Sequence, residues 1–447
     1  MQSNGIASDQ QLQLPLGSPE DEPVTGNRQA SDSDDSSPLM VRVLSPDNLR
    51  RALKQVQRNK GAPGIDGMTV EELPDYLRQH WPTVRQRLIR QTYQPQPVRR
   101  VLIPKASGGT RPLGIPTVLD RFIQQALAQV IQSEWEPCFH PHSYGFRPGR
   151  SAHQAVRHAQ ACARDGRDWT VDLDLKAFFD RVNHDRLIQR LKRKVADRPL
   201  LRLVNQYLKA GICEGETVTA ARQGVPQGGP LSPVLANIVL DELDWELERR
   251  GLAFARYADD CQIFVGSRRA GERVMVTLQR FIGETLRLTV NTRKSAVDRP
   301  WKRSFLGFSF SRKDLRLRVA RAPIGRLKDR IRTLSRRTRG HSLRRVIAEL
   351  RDALLGWKAY FDVSEVLSPL RDLDKWIRRR LRCYVWKQWG RSGYRMLRKR
   401  GVSRDLAWNT AKSAHGPWRL SRSPALAFAL PARYFRNHGL PELAARA

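Results

Sequence analysis

Two adjacent carboxylates set between two apolar runs constrain this chain most. The stretch is Phe254-Ala-Arg-Tyr-Ala-Asp-Asp-Cys-Gln-Ile-Phe-Val265. The apolar runs predict strands, and the polar centre predicts the turn that joins them. Asp259 and Asp260 therefore fall at the tip of a hairpin. Asp is a favoured turn residue, so a solvated turn is the plain alternative. Two like charges side by side nevertheless favour a cation between them. Mg²⁺ suits such a tip, because it takes oxygen ligands from one or two carboxylates together with substrate phosphates.

A second acidic stretch lies upstream, Trp169-Thr-Val-Asp-Leu-Asp-Leu-Lys-Ala-Phe-Phe-Asp-Arg-Val182. Val171, Leu173 and Leu175 alternate with Asp172, Asp174 and Lys176, which is strand periodicity. A helix-like run through Leu187, Ile188 and Leu191 follows. Asp174 then falls near a strand end and is the expected third ligand, with Asp172 and Asp180 as structural acids. Three carboxylates holding two metals about 4 Å apart can activate a 3′-hydroxyl and stabilise a leaving pyrophosphate.

The balance of charge points to a polyanionic partner. Formal net charge is +36 and the pI is near 11.1, far beyond what solubility requires. The charge is uneven. Residues 301–447 hold 37 Lys and Arg against 10 Asp and Glu, whereas the first 45 residues are net acidic. A basic surface of this size binds a nucleic-acid backbone through counterion release. No apolar run reaches the length of a membrane span, and neither a signal peptide nor a transit peptide is indicated. The five cysteines are scattered and form no CxxC pair, so neither a zinc site nor a disulfide framework is indicated, which suits a reducing cytoplasm.

Residues 1–40, rich in Ser, Asp, Gln, Gly and Pro, are expected to form a disordered tail. Leu49, Leu53 and Val56 then mark a helix from Ser45. Val98–Ile103 reads as a strand and Ser107–Thr110 as a hairpin turn. Thr117-Val-Leu-Asp120 resembles a capping box ahead of a helix bearing Phe122, Ala126, Val130 and Ile131. A Gly/Pro-rich turn, Gln223–Gly229, leads into a helix over Leu235–Leu247. After about Arg321 the strands stop. Leu343 to Phe361 follows helical spacing, and Ser368-Pro369 opens another helix. Its stripe runs through Leu370, Leu373, Trp376, Ile377, Leu381 and Tyr384, and Arg378, Arg379, Arg380 and Arg382 lie between those positions. The aromatic stripe is read as core, and the arginines as phosphate contacts through their planar forks.

These segments, in this order, resemble the reverse transcriptase/maturases encoded in bacterial group II introns. The matching blocks are Gly61–Gly67, Arg100–Pro116, Ser143–Arg150, Asp174–Asp180, Gln223–Pro230, the Tyr257-Ala-Asp-Asp260 hairpin, Leu288–Ser295 and Phe305–Phe308. The resemblance implies an α+β fold. Right-hand polymerase fingers and palm, with an antiparallel palm sheet, would be followed by an all-α thumb/maturase domain. Implied boundaries are an N-terminal extension over 41–95, fingers and palm over 96–318, thumb/maturase over 319–395 and a basic nucleic-acid-contacting segment over 396–447.

The resemblance also implies roles. Asp174, Asp259 and Asp260 would hold two Mg²⁺ ions. Lys105 and Arg111, flanking a Gly-Gly turn, would close over the triphosphate. Phe179, rather than Phe178, would stack under the sugar and exclude a 2′-hydroxyl. Gln227 would contact the nucleotide, and Lys294 would serve as a phosphate contact or general acid. The implied partners are intron RNA, an RNA template–primer, target DNA and deoxynucleoside triphosphates, in a bacterial cytoplasm. The paired-cysteine endonuclease module of many family members is not expected. A domesticated reverse transcriptase and a non-catalytic splicing cofactor are the alternatives.

Overall fold

The computed structural model describes residues 38–104, 109–215 and 217–445. Most of the expected tail, and Lys105, lie outside the described residues. Regular structure is already present before residue 41. Pro38–Val43 is helical and buries Met40 and Val43, and the Met40 N–H donates to Asp197 Oδ2 at 2.7 Å.

The described residues form two compact units. One comprises 38–158 and 171–297, and the other comprises 159–170 and 298–445. Residues 298–318 thus belong with the C-terminal helices, ahead of the boundary expected near 318.

Among the described residues there are two four-stranded sheets, most of whose residues lie in the first unit. In one, the strands β1 (Val98–Pro104), β2 (Thr110–Ile115), β4 (Ile212–Glu214) and β5 (Thr217–Thr219) lie in the order β2-β1-β4-β5. β1 is antiparallel to β2 and parallel to β4, so this sheet is mixed. In the other, β3 (Trp169–Leu173), β6 (Ala253–Tyr257), β7 (Asp260–Val265) and β8 (Ala296–Asp298) lie in the order β6-β7-β3-β8. β6 and β7 form the antiparallel hairpin expected from the sequence, ending at the Tyr257–Asp260 pair.

Two helices form much of the core of this unit. Val118–Trp135 starts at Thr117, whose Oγ1 accepts from the Asp120 N–H at 3.1 Å, a working N-cap. Asp120 in turn accepts from the hydroxyls of Tyr93, Tyr207 and Thr117 at 2.7, 3.1 and 2.7 Å. Phe122, Ala126, Val130 and Ile131 are all buried. Ser232–Arg249 is buried on most of its circumference, Asn237 and Asp244 included. An apolar-in, polar-out helix would not carry those two residues inside.

The second unit has one short hairpin, β9 (Phe308–Phe310) with β10 (Leu317–Val319), and is otherwise helical. The long helices are Arg321–Leu334, Leu343–Phe361 and Ser368–Trp389, in register with the predicted stripes. The segment from 396 onward is folded. It contributes short helices that bury Leu397, Ala407, Leu426, Leu430 and Phe435, and Asp374 accepts from the Leu443 and Ala444 N–H groups at 2.9 and 3.0 Å. Among the described residues, no helix is long and apolar enough to cross a membrane.

Candidate active site

Asp174 sits just beyond β3, and the Leu288–Ser295 block holds it there. Its N–H donates to Ser295 Oγ at 2.9 Å, and its carbonyl accepts from the Asn291 N–H at 2.8 Å. Its carboxylate accepts from Asn291 Nδ2 at 2.9 Å through Oδ1. Oδ2 faces Lys294 Nζ at 3.5 Å. Two blocks separated by more than a hundred residues are thus joined at one carboxylate, and Lys294 is placed beside it.

β7 lies next to β3, so the hairpin tip comes alongside Asp174. Ala258 adopts φ +57°, a left-handed conformation uncommon outside glycine. Asp259 follows it in the turn, and Asp260 closes the last strand pair. The Asp259 carboxyl is raised above its ordinary value, first because surrounding protein displaces water and next because the Asp174 charge is near, with Lys294 and Arg256 opposing. A hard cation between the two carboxylates would relieve the burden on Asp259. An all-oxygen donor set fits Mg²⁺ rather than a soft metal.

The hairpin is seated from behind by Ser143–Arg150. The Arg256 N–H donates to the His142 carbonyl at 3.0 Å, and the Tyr144 N–H donates to the Arg256 carbonyl at 2.9 Å. Gly145 lies so close that a Cβ there would stand 2.2 Å from the Ala258 nitrogen, which no side chain could occupy. Arg256, Asp244, Asn237 and Ser143 were missed by sequence reasoning. The available signal was a charged residue inside an apolar strand, at Arg256.

A cavity of about 530 Å³ is lined by Arg111, Phe146, Phe179, Gln227 and Gly228, among others, and Phe146 packs against Tyr257 of the hairpin with ring centroids 6.4 Å apart. It brings together three of the five expected nucleotide contacts. Phe178 is only 3% exposed and belongs to the core, whereas Phe179 is half-buried and faces the cavity. The Gln223–Pro230 block is stitched to the protein's own backbone. The Val225 N–H donates to the Phe179 carbonyl at 2.6 Å, and the Gly114 N–H donates to the Gln227 carbonyl at 2.7 Å. At Gly228, with φ +124°, a Cβ would stand 2.6 Å from the Gly114 carbonyl oxygen. The close approach this glycine permits is therefore to β2.

The aspartates are not the tightest ligand-like cluster. Among the described residues that group is His140, His142 and Glu248, whose ligand atoms lie within 4.8 Å of one another. His140 Nδ1 accepts from the His142 N–H at 3.1 Å. Its Nε2 therefore carries the proton and faces Glu248 at 3.3 Å, an arrangement suited to a hydrogen bond and opposed to metal ligation.

The four arginines of the Ser368–Trp389 helix are half-buried and engaged within the second unit. Arg378 lies 3.6 Å from Glu442. Arg379 stacks over Trp418 at 3.7 Å and donates to its carbonyl at 3.1 Å. Arg380 donates to Ser335 Oγ at 2.9 Å, and Arg382 to the Leu430 carbonyl at 3.0 Å.

Residues 103–310 match the reverse transcriptase (RNA-dependent DNA polymerase) family, and residues 324–402 match the group II intron maturase-specific domain. Together the two matches span more than half of the chain. The chain belongs to the group II intron reverse transcriptase/maturases. Protein YkfC of Escherichia coli K12 is 38% identical over 221 residues, covering 48% of this chain and 58% of YkfC. Group II intron-encoded protein LtrA of Lactococcus lactis subsp. cremoris is 38% identical over 224 residues, covering 50% of this chain and 37% of LtrA. The alignments thus span well under two thirds of either relative. A telomerase structure from Candida albicans aligns with TM-score 0.42 and 13% identity, over 65% of this chain and 59% of that one. The reverse transcriptase domain contains Asp174, Asp259 and Asp260, and the maturase-specific domain contains the Ser368–Trp389 helix.

Proposed function

We propose that this protein copies RNA into DNA by nucleotidyl transfer, with Asp174, Asp259 and Asp260 as the carboxylates of the reacting site. The observation that carries this reading is the convergence of Asp174 with the hairpin acids across the neighbouring strands β3 and β7, in a unit where Arg111, Phe179 and Gln227 line one cavity. The three aspartates would hold two Mg²⁺ ions, which supply activation of a primer 3′-hydroxyl and neutralisation of leaving pyrophosphate. Lys294, 3.5 Å from Asp174, would balance phosphate charge. Arg111, with Lys105 ahead of it in the chain, would grip the triphosphate of an incoming deoxynucleotide. The Phe179 ring would fill the space a 2′-hydroxyl needs.

The maturase-specific domain and the basic C-terminal third support a second role on the same RNA. The protein would bind its own intron RNA and assist its splicing and its mobility into target DNA, in a bacterial cytoplasm. Arg378, Arg379, Arg380 and Arg382 are proposed to contact that RNA through the guanidinium faces their protein bonds leave open. A purely non-catalytic cofactor would have no use for three acids brought together in this way.

The test is primer extension on an RNA template. Asp174→Ala and Asp259→Ala should each reduce cDNA synthesis to background while RNA binding stays near wild type, because these acids serve the chemical step. Wild-type extension by the double variant would end the reading.

A further inference from the structure

We infer that Arg256 is a positioning residue that sets where the hairpin presents Asp259. The inference rests on the polymerase reading and names the part of the fold that makes its site competent to hold metal.

Arg256 is the largest fully buried side chain among the described residues, 0% exposed. A guanidinium has five N–H donors, and here each has an acceptor. Nε and Nη2 donate to the two oxygens of Asp244 at 2.6 and 2.5 Å, a bidentate fork. Nη2 also donates to Ser143 Oγ at 2.7 Å. Nη1 donates to Asn237 Oδ1 at 3.1 Å and to the Ala258 carbonyl at 2.9 Å. That last acceptor belongs to the peptide joining Ala258 to Asp259.

The network ties three elements to the turn. Asn237 and Asp244 are two turns apart on one face of the Ser232–Arg249 helix. Ser143 belongs to the segment behind the hairpin, and Asn237 Nδ2 donates to the Gly145 carbonyl at 2.8 Å. Gly145 packs close against Ala258, since a Cβ there would stand 2.2 Å from the Ala258 nitrogen. The turn is thereby bonded by Arg256 at its carbonyl and packed by Gly145 beside its nitrogen. Ala258 sits in a left-handed conformation that persists only when its surroundings over-determine it.

A buried ion pair is a poor source of stability, since desolvation offsets most of the attraction. Its value lies in geometry, and this one converges on the residue before a metal-binding acid. Lysine could keep the charge but offers three donors from one point. It could not bridge Asp244, Asn237, Ser143 and the turn together.

The test compares wild type with Arg256→Lys and Ser143→Ala, with Asp259→Ala as reference. Mn²⁺ affinity of the free protein is read by electron paramagnetic resonance, and the half-saturating Mg²⁺ concentration by primer extension. Arg256→Lys should weaken Mn²⁺ binding at least tenfold and raise the Mg²⁺ requirement in parallel. Its template–primer affinity should remain within twofold of wild type. Ser143→Ala removes one acceptor and little volume, so it should shift both readings two- to threefold in the same direction. If Arg256→Lys does not fold, Ser143→Ala alone decides. Wild-type metal affinity in a folded Arg256→Lys, or in Ser143→Ala when the lysine variant is unfolded, overturns the inference. Loss of extension in Asp259→Ala beside that result would leave the polymerase reading standing. Wild-type extension in Asp259→Ala would end the polymerase reading itself.

Discussion

At the scale of single residues, two adjacent phenylalanines make the sharpest contrast. Phe178 and Phe179 are T-shaped neighbours with ring centroids 5.1 Å apart, yet one is core and the other borders the cavity. Alanine at each should therefore fail differently. Phe178→Ala should cost about 3–5 kcal/mol of stability through the void it leaves, with nucleotide selectivity unchanged in whatever protein folds. Phe179→Ala should cost less and should raise ribonucleotide incorporation relative to deoxynucleotide. Thermal melts beside extension assays with mixed nucleotides separate the two. A selectivity change confined to Phe178→Ala would move the sugar gate to the other ring.

At the scale of elements, strand alternation made both β3 and the β6–β7 hairpin legible. Val171 and Leu173 face one side, and Asp174 follows the strand end. Alternation cannot show which charge inside an apolar run points inward. Arg256 was hidden for that reason, because its partners Asp244 and Ser143 lie on elements distant in sequence. The imidazoles behind β6 escaped notice similarly. His142 stacks on His158 at 4.0 Å between ring centroids, His158 Nε2 donates to the Phe254 carbonyl at 3.1 Å, and His140 packs against Phe254. Burial lowers all three below the ordinary imidazole value, while Asp244 and Glu248 oppose the shift at His140 and His142. His142 falls to about 4, with its two histidine neighbours adding to the burial effect. As pH drops below about 6.5 the unfolded chain takes up protons first. Stability from these groups is thus full above that point, and the His142 share is gone near its folded value. Thermal midpoints should fall from pH 7 to pH 4.5, and His142→Gln should flatten that fall. An unchanged pH slope in the variant would place the acid sensitivity in other groups.

At the scale of the whole molecule, charge divides the chain more plainly than secondary structure does. Residues 301–447 carry net +27 of the total +36, and the maturase-specific match lies within them. Composition alone made a polyanionic partner legible. It could not show that Arg378, Arg379, Arg380 and Arg382 each have a protein partner, since Trp418, Leu430 and Glu442 are brought to them by folding. Those partners change what neutralising the four arginines should do. Removing one arginine–phosphate interaction lowers the slope of log affinity against log salt by roughly 0.7 to 0.9. Replacing all four with Gln should flatten the slope for intron RNA by about one to three units, because a guanidinium held by Glu442 or a carbonyl has fewer donors left for phosphate. The same variant should melt lower, since stacking on Trp418 and the bonds to Ser335 and Leu430 disappear with the charge. Extension on a short template–primer should fall less than intron binding, because the aspartates and the cavity belong to the first unit. Filter binding across a salt series, run beside melts and primer extension, reads all three. A lower melting temperature with an unchanged salt slope would mean that the four arginines hold the Ser368–Trp389 helix to residues 418–442, and that other basic residues contact the RNA.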